Sequence, residues 1–288
     1  MRRTFLRAAI GALCAVLSSA ADDPQRIVSL SPDLTEILYG VGAFNRVVAV
    51  SNFDTYPPET ARLPHLGSLD TLSLERLTAV KPDLVIMNDV QAPFLEPQLN
   101  DLGLRVFKTS NQSIQQTFAA MTAIGRVTGH EREADALVAA TRAGLDGVSR
   151  RMAGVAKLGV AKPSVVLIVD RTPGTLRELY TATDGSYLAE LVAIAGGRVS
   201  VPTDPHGYRR LSKEDLVALD PDIILDFQQA SKGRFAGTPT DAWQEMPELK
   251  AVRTHRVYEV NEDFVPHASQ RMVQTAELFA KRIHPEIQ

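Results

Sequence analysis

Six histidines, His65, His130, His206, His255, His267 and His284, are the first residues to test for chemistry. None stands in a His-Glu-x-x-His spacing, which would turn two imidazoles toward one metal from a single helix face. No other close metal-ligand pair occurs, so no free metal site is expected. Asp263 and His267 could serve a secreted hydrolase as an acid–base pair, provided the fold brings them within hydrogen-bond reach. Asp184-Gly185-Ser186 is a turn followed by a helix cap rather than an activated serine. There is no nucleophile elbow, phosphate loop or dinucleotide fingerprint. What remains is aromatic. Phe53, Tyr56 and Phe264 sit in loops, and flat rings bury large area at low entropy cost, which suits a flat macrocyclic ligand. His206 and His267 lie in loops of the second half of the chain, where they could also face a ligand.

The elements that must position these residues are α/β throughout. Strands are expected at Arg26–Leu30, Val47–Val50, Leu84–Met87, Arg105–Lys108, Val165–Val169, near Leu179, at Ile223–Asp226 and at Arg256–Val260. Helices are expected at Asp33–Tyr39, with Ser31-Pro32 at its start, and at Leu74–Val80, Phe94–Leu102, Ser113–Thr128, Ser186–Ala195, Glu214–Leu219 and Ser269–Ile283. This alternation over short loops implies mainly parallel sheets. Ser51–Pro64, Pro202–Arg210 and Ala230–Asp241 read as loops. At mid-chain, Val138, Thr141, Leu145, Val148, Met152 and Val155 recur at helical spacing. They predict one helix over Glu131–Val155, about 37 Å long, with Thr128 and Glu131 as a capping box.

Composition sets the compartment. The chain has 288 residues, enough for two lobes with their own cores. Arg2, Arg3 and Arg7, the apolar run Ala8–Leu17 and Ser18-Ser19-Ala20 form a secretory signal peptide over residues 1–20. The run is too short to span a bilayer. The single cysteine, Cys14, lies inside it, and Leu13 is not the small residue that a lipoprotein signal places before its cysteine. The mature chain would therefore carry no disulfide or thiolate site. Removing three arginines takes the net charge from −3 to −6, with no basic stripe for nucleic acid or anionic lipid.

Two segments repeat. Leu72-Ser73-Leu74-Glu75-Arg76-Leu77-Thr78-Ala79-Val80-Lys81-Pro82-Asp83-Leu84-Val85-Ile86 matches Leu211-Ser212-Lys213-Glu214-Asp215-Leu216-Val217-Ala218-Leu219-Asp220-Pro221-Asp222-Ile223-Ile224-Leu225 at seven of fifteen positions. Serine caps a short helix, leucine and alanine face inward, and Pro-Asp turns the chain into an apolar strand. A weaker echo pairs Leu34-Thr35-Glu36-Ile37-Leu38 with Leu188-Ala189-Glu190-Leu191-Val192. The repeat predicts related lobes, at 26–129 and 163–288, on either side of a linking helix at 130–156. It also puts Glu75 and Glu214 at matching helix N-termini.

Arg26-Ile27-Val28-Ser29-Leu30-Ser31-Pro32 with Thr35-Glu36, Val48-Ala49-Val50-Ser51 with Tyr56-Pro57-Pro58, and Leu74-Glu75-Arg76 with Lys81-Pro82-Asp83-Leu84-Val85-Ile86 carry a family likeness. They resemble the periplasmic substrate-binding proteins of cobalamin, haem and ferric-siderophore ABC importers. The cobalamin binders are the closest in look. The likeness runs from Arg26 to the last helix. It implies a class III periplasmic binding protein of the helical-backbone metal receptor type: an α/β chain of two lobes joined by one long helix. It also implies a monomer that captures a metal chelate in the cleft, changes little on closing, and delivers its cargo to a permease dimer. Glu75 and Glu214 would then meet permease arginines. For cobalamin, the resemblance implies Tyr56, Asp263 and Phe264 in the cleft, with Phe53 and Tyr208 near them and His267 where an arginine is expected. For haem, a tyrosine is expected just after Gly67, where Ser68 stands. A ferric siderophore calls for cleft arginines, and Arg171, Arg177, Arg209 and Arg210 are candidates. The bound chelate would be a transported ligand, with no catalytic cofactor.

Overall fold

The computed structural model describes residues 23–156, 162–227 and 239–286. The expected signal peptide, the linker after the long helix and most of the Ala230–Asp241 loop lie outside these residues.

The first lobe is a four-stranded parallel sheet of β1 (Ile27–Ser29), β2 (Val47–Ala49), β3 (Leu84–Asn88) and β4 (Val106–Thr109), in the order β2-β1-β3-β4. The helices α1 (Pro32–Gly40), α2 (Leu74–Ala79), α3 (Ala92–Asp101) and α4 (Ile114–Val127) connect and cover it. The second lobe is built from β5 (Ser164–Asp170), β6 (Tyr180–Ala182), β7 (Arg198–Val199), β8 (Tyr208–Arg210), β9 (Ile223–Phe227) and β10 (Val257–Val260). Its helices include α6 (Tyr187–Ile194), α7 (Lys213–Leu219), α8 (Lys250–Arg253) and α9 (Met272–Ile283).

The repeat seen in the sequence is a repeat of topology. β7, β5, β9 and β10 pair in parallel just as β2, β1, β3 and β4 do. Ser73 accepts the Arg76 N–H at the start of α2, and Ser212 accepts the Asp215 N–H at the start of α7. Lys81 and Asp220, at matching positions, both turn left-handed, with φ of 45° and 34°. Asp83 then accepts the Gln25 and Arg26 N–H groups beside β1, and Asp222 accepts the Ser164 N–H at the start of β5. One carboxylate per lobe thus pins the entry of the central strand. The second lobe adds β6, which runs antiparallel beside β5, and β8, which runs antiparallel on the far side of β6. β7 and β8 lie where no strand is expected. They are two and three residues long, too short for an alternating pattern, and are held by ladder bonds to β5 and β6.

Between the lobes runs α5 (Glu131–Ala156), a single helix of 26 residues. Thr141, Leu145, Val148, Met152 and Val155 are buried as their spacing requires. α5 packs against α1 and α4 of the first lobe and α6 and α9 of the second, so one apolar core runs continuously through it. The expected capping box is not formed. Thr128 Oγ1 donates to the Ile124 carbonyl at 2.7 Å and closes α4 instead. The last helix starts three residues later than expected, because Ser269 turns its hydroxyl to Glu36 in the other lobe rather than capping α9.

Candidate functional site: a cleft between the lobes

In parallel α/β sheets the strand carboxyl ends, where neighbouring connections diverge, open a crevice for ligands. Here the carboxyl ends of both sheets border a pocket of about 490 Å³. Pro32, Asn52, Phe53 and Thr55 come to it from the first lobe, and Asp263, Pro266 and His267 from the second.

The loop after β2 is built to present its aromatic residue. Its ends are tied by a Val50–His65 bridge and by Leu66 N–H donating to the Val50 carbonyl at 2.9 Å. Inside it, Asp54 turns inward and accepts the Ser51 N–H at 2.9 Å, which leaves Phe53 and Thr55 facing outward. Phe53 is 67% exposed. The loop leans on Gly67, whose φ of +119° and 2.3 Å approach of a would-be Cβ to the Thr71 carbonyl oxygen admit no side chain. Gly67 carbonyl accepts the Asn52 N–H at 2.9 Å, and Asn52 Oδ1 accepts the Gly67 N–H at 3.1 Å.

Glu36 on α1 organises the second-lobe wall. Its buried carboxylate meets His267 Nδ1 at 2.9 Å and accepts from Arg271 Nη1 at 2.9 Å and from the Ser269 hydroxyl. Its carbonyl accepts from Gln270 Nε2 at 2.6 Å. Arg271 goes on to donate to Asp263 Oδ1 at 3.0 Å, and Thr55 Oγ1 donates to Asp263 Oδ2 at 2.9 Å from across the cleft. Burial pushes the Asp263 carboxyl up, but these bonds and the Arg271 charge together hold it below the usual range. The Arg271 guanidinium lies over the Tyr56 ring at 4.4 Å and the Phe264 ring at 5.1 Å. Behind the first-lobe wall, Asp33 and Asp54 are buried, and that burial raises both carboxyls despite hydrogen bonds from Ser31, Asn88 and Asn111 to Asp33 and from Ser51 to Asp54.

Next to this pocket, and sharing Pro266, lies an aromatic pocket of about 270 Å³ lined by Val169, Tyr180, Tyr187, Tyr208 and Phe227 among others. Tyr208 stacks on Tyr180 with centroids 6.2 Å apart. Burial pushes its phenol up to about 12.

Of the residues expected from sequence, Phe53, Asp263 and His267 line the cleft and Tyr208 lines the neighbouring pocket. Tyr56 and Phe264 hold Arg271, and Tyr56 also makes an edge-on contact with Tyr39 at 5.5 Å. His206 is exposed on its loop, with its N–H on Asp204. Asp263 and His267 do not pair with each other. Asp263 is held by Thr55 and Arg271, and His267 by Glu36. Arg171, a candidate cleft arginine, is instead buried in an ion pair with Asp226 at 2.8 Å, to which Trp243 Nε1 also donates at 2.8 Å. Arg177 and Arg210 are exposed, and Arg210 pairs with Glu178. Glu75 and Glu214 are exposed at the starts of α2 and α7, on the carboxyl edges of their sheets.

Sequence reasoning missed Glu36, Thr55, Ser269 and Arg271. Glu36 had two signals, its match to Glu190 in the α1–α6 echo and its place beside Thr35 in the first family motif, but neither gave it a role in the cleft. Arg271 had none, since a cation beside a helix start looks like any solvated side chain.

Among the described residues, no helix is long and apolar enough to cross a membrane, and no group of three or more His, Cys, Asp or Glu could hold a metal ion. The periplasmic binding protein family model matches residues 27–264. An uncharacterized ABC transporter substrate-binding lipoprotein of Bacillus subtilis is 29% identical over 269 residues, covering 92% of this chain and 81% of the relative. A vitamin B12-binding protein of Yersinia pseudotuberculosis is 25% identical over 280 residues, covering 96% and 92%. The crystal structure of a periplasmic heme binding protein from Pseudomonas aeruginosa superposes with a TM-score of 0.80 at 22% identity, covering 92% of this chain and 94% of that one. The motif likeness, the two lobes on one long helix and the family match agree: this chain belongs to the periplasmic binding protein family.

Proposed function

We propose that the chain is the substrate-binding component of an ABC importer, a monomer exported to the periplasm by cleavage of residues 1–20, and not an enzyme. It captures a metal chelate, cobalamin, between the lobes and delivers it to a permease dimer. The observation that carries this reading is the inter-lobe pocket itself. Phe53 stands exposed at one wall, and Asp263 and His267 face it from the other. A volume of about 490 Å³ suits a drug-sized ligand, so a cobalamin would seat one edge of its ring there and leave the rest in solvent or over the neighbouring aromatic pocket. Phe53 and Tyr208 supply apolar faces, while Asp263 and His267 supply polar contacts. Glu75 and Glu214, with no side-chain ion pair or hydrogen bond among the described residues, are the permease contacts. The hydrolase alternative loses its acid–base pair because Asp263 and His267 bond to other residues.

A second reading, haem or a ferric siderophore, draws on the tyrosine-rich pocket. Against the haem form of it, Ser68 stands just after Gly67, where the family resemblance calls for a tyrosine.

The test is retention. Mature protein from Ala21 onward is mixed with cyanocobalamin, haem or a ferric siderophore, desalted, and its visible spectrum recorded. Near-stoichiometric retention of cobalamin alone is the expected outcome. Retention of haem or siderophore instead replaces the ligand, and retention of none by folded protein overturns the chelate reading.

A further inference from the structure

The cations on and behind the cleft wall are already held by the protein's own carboxylates. His267 is the one basic residue among those lining the pocket, and its Nδ1 lies 2.9 Å from Glu36 Oε1. Arg271 stands behind it, with Nη1 on Glu36 at 2.9 Å and Nη2 on Asp263 at 3.0 Å. Its guanidinium is covered by the rings of Tyr56 and Phe264. Glu36 is only 1% exposed, so water competes little for its oxygens. Asp33, Asp54 and Asp263 all lie close enough to His267 for a charge on it to act on them. Four carboxyl groups, Asp33, Glu36, Asp54 and Asp263, therefore stand about this wall, and Glu36 and Asp263 hold Arg271 directly. Arg171 is no reserve, since Asp226 holds it.

We infer that Glu36 determines specificity. By holding both His267 and Arg271 it leaves the described cleft wall without an uncommitted basic side chain, and so selects a chelate whose periphery is uncharged, such as a carboxamide-bearing one, over a carboxylate-bearing chelate of the same shape. The inference rests on the reading of the cleft as a chelate site. An entering carboxylate would meet the acidic wall at short range. To gain Arg271 it would have to displace Glu36, leaving a buried charge unpaired. A carboxamide N–H meets no such barrier, because Asp263, partly exposed, keeps lone pairs to accept it.

The test compares ligands that differ in charge alone. Binding of cyanocobalamin is measured beside its monocarboxylic acid, in which one peripheral carboxamide has become a carboxylate. The same is done with two iron porphyrins of one size, one bearing anionic carboxyphenyl groups and one cationic N-methylpyridyl groups. The wild-type protein is expected to disfavour the anionic member of each pair by about tenfold or more. Glu36→Gln frees Arg271 and His267 and is expected to shrink that ratio to within about threefold, mainly by tightening the anionic ligand. Asp263→Asn, at a partly exposed position, is expected to move the ratio the same way and keeps the test open if Glu36→Gln does not fold. Equal binding of both members by the wild type overturns the inference and leaves the chelate site standing. An unchanged ratio in the folded variants does the same. Binding of none of the four chelates overturns both.

Discussion

Glu36 and Glu190 occupy matching positions on α1 and α6, and each carboxylate reaches into the opposite lobe. Glu36 takes His267, Ser269 and Arg271 from the second lobe. Glu190 Oε2 accepts the Ile114 N–H of the first lobe at 2.9 Å, at the half-buried N-terminus of α4. The duplication has thus left a reciprocal pair of ties across the cleft. Together with the continuous core along α5, they set the lobe spacing without help from a ligand.

Glu190→Ala removes both a hydrogen-bond acceptor and a negative charge from the start of α4. The expected cost is about 1 kcal/mol of unfolding free energy, read as a lower urea midpoint at unchanged slope. Glu190→Gln, which keeps an acceptor oxygen, is expected to recover about half of it.

Arg171→Met tests the buried pair behind β9. Asp226 would keep Trp243 Nε1 but lose the bonds and the charge of the Arg171 guanidinium. The expected loss is about 3–5 kcal/mol. Replacing Arg171 and Asp226 together by apolar residues is expected to cost much less, and urea titration of the single and double variants measures the difference.

Stability should depend on pH with two opposing limbs. Burial pulls the Asp222 carboxyl up, but Lys250 and the Ser164 N–H and hydroxyl outweigh it and hold the group at about 2 against an ordinary 3.8. A depressed carboxyl stabilises the fold above its ordinary value, and that stabilisation is lost as pH falls toward 2. Asp33 and Asp54 are raised by burial, so the folded state binds their protons first and stability rises as pH drops from neutral toward their titration. Urea midpoints are expected to climb on mild acidification and then fall steeply below the ordinary Asp value. Asp222→Asn should flatten only the acid limb, and Asp33→Asn only the mild one.

Reversing Glu75 and Glu214 to lysine is expected to abolish uptake in cells while ligand retention by the purified protein stays unchanged. Each exposed pair contributes at most about 1 kcal/mol, so the loss would come from repulsion and lost register at docking. Uptake unaffected by the double reversal would sink the docking role.

Much of the architecture was legible in the chain. The α5 stripe from Thr141 to Val155, the Ser-capped helices and the Pro-Asp turns into apolar strands are local patterns, set by helical period, capping and backbone preference. The repeat even extended to Lys81 and Asp220, whose left-handed turns match. Phe53 was legible as a candidate because a loop rich in turn formers displays its side chain, and His267 through the family likeness, where it stands in place of an arginine. What the sequence could not reveal was who meets whom. Glu36 and Arg271 are 235 residues apart, and nothing local distinguishes an arginine clamped between Tyr56 and Phe264 from one waving in solvent. Arg171 shows the converse, a candidate for the cleft that the fold buried against Asp226 and Trp243. Propensity and periodicity act over a few residues. Pairing of charges across the cleft follows from how two lobes pack on one helix, and only the tertiary structure decides that.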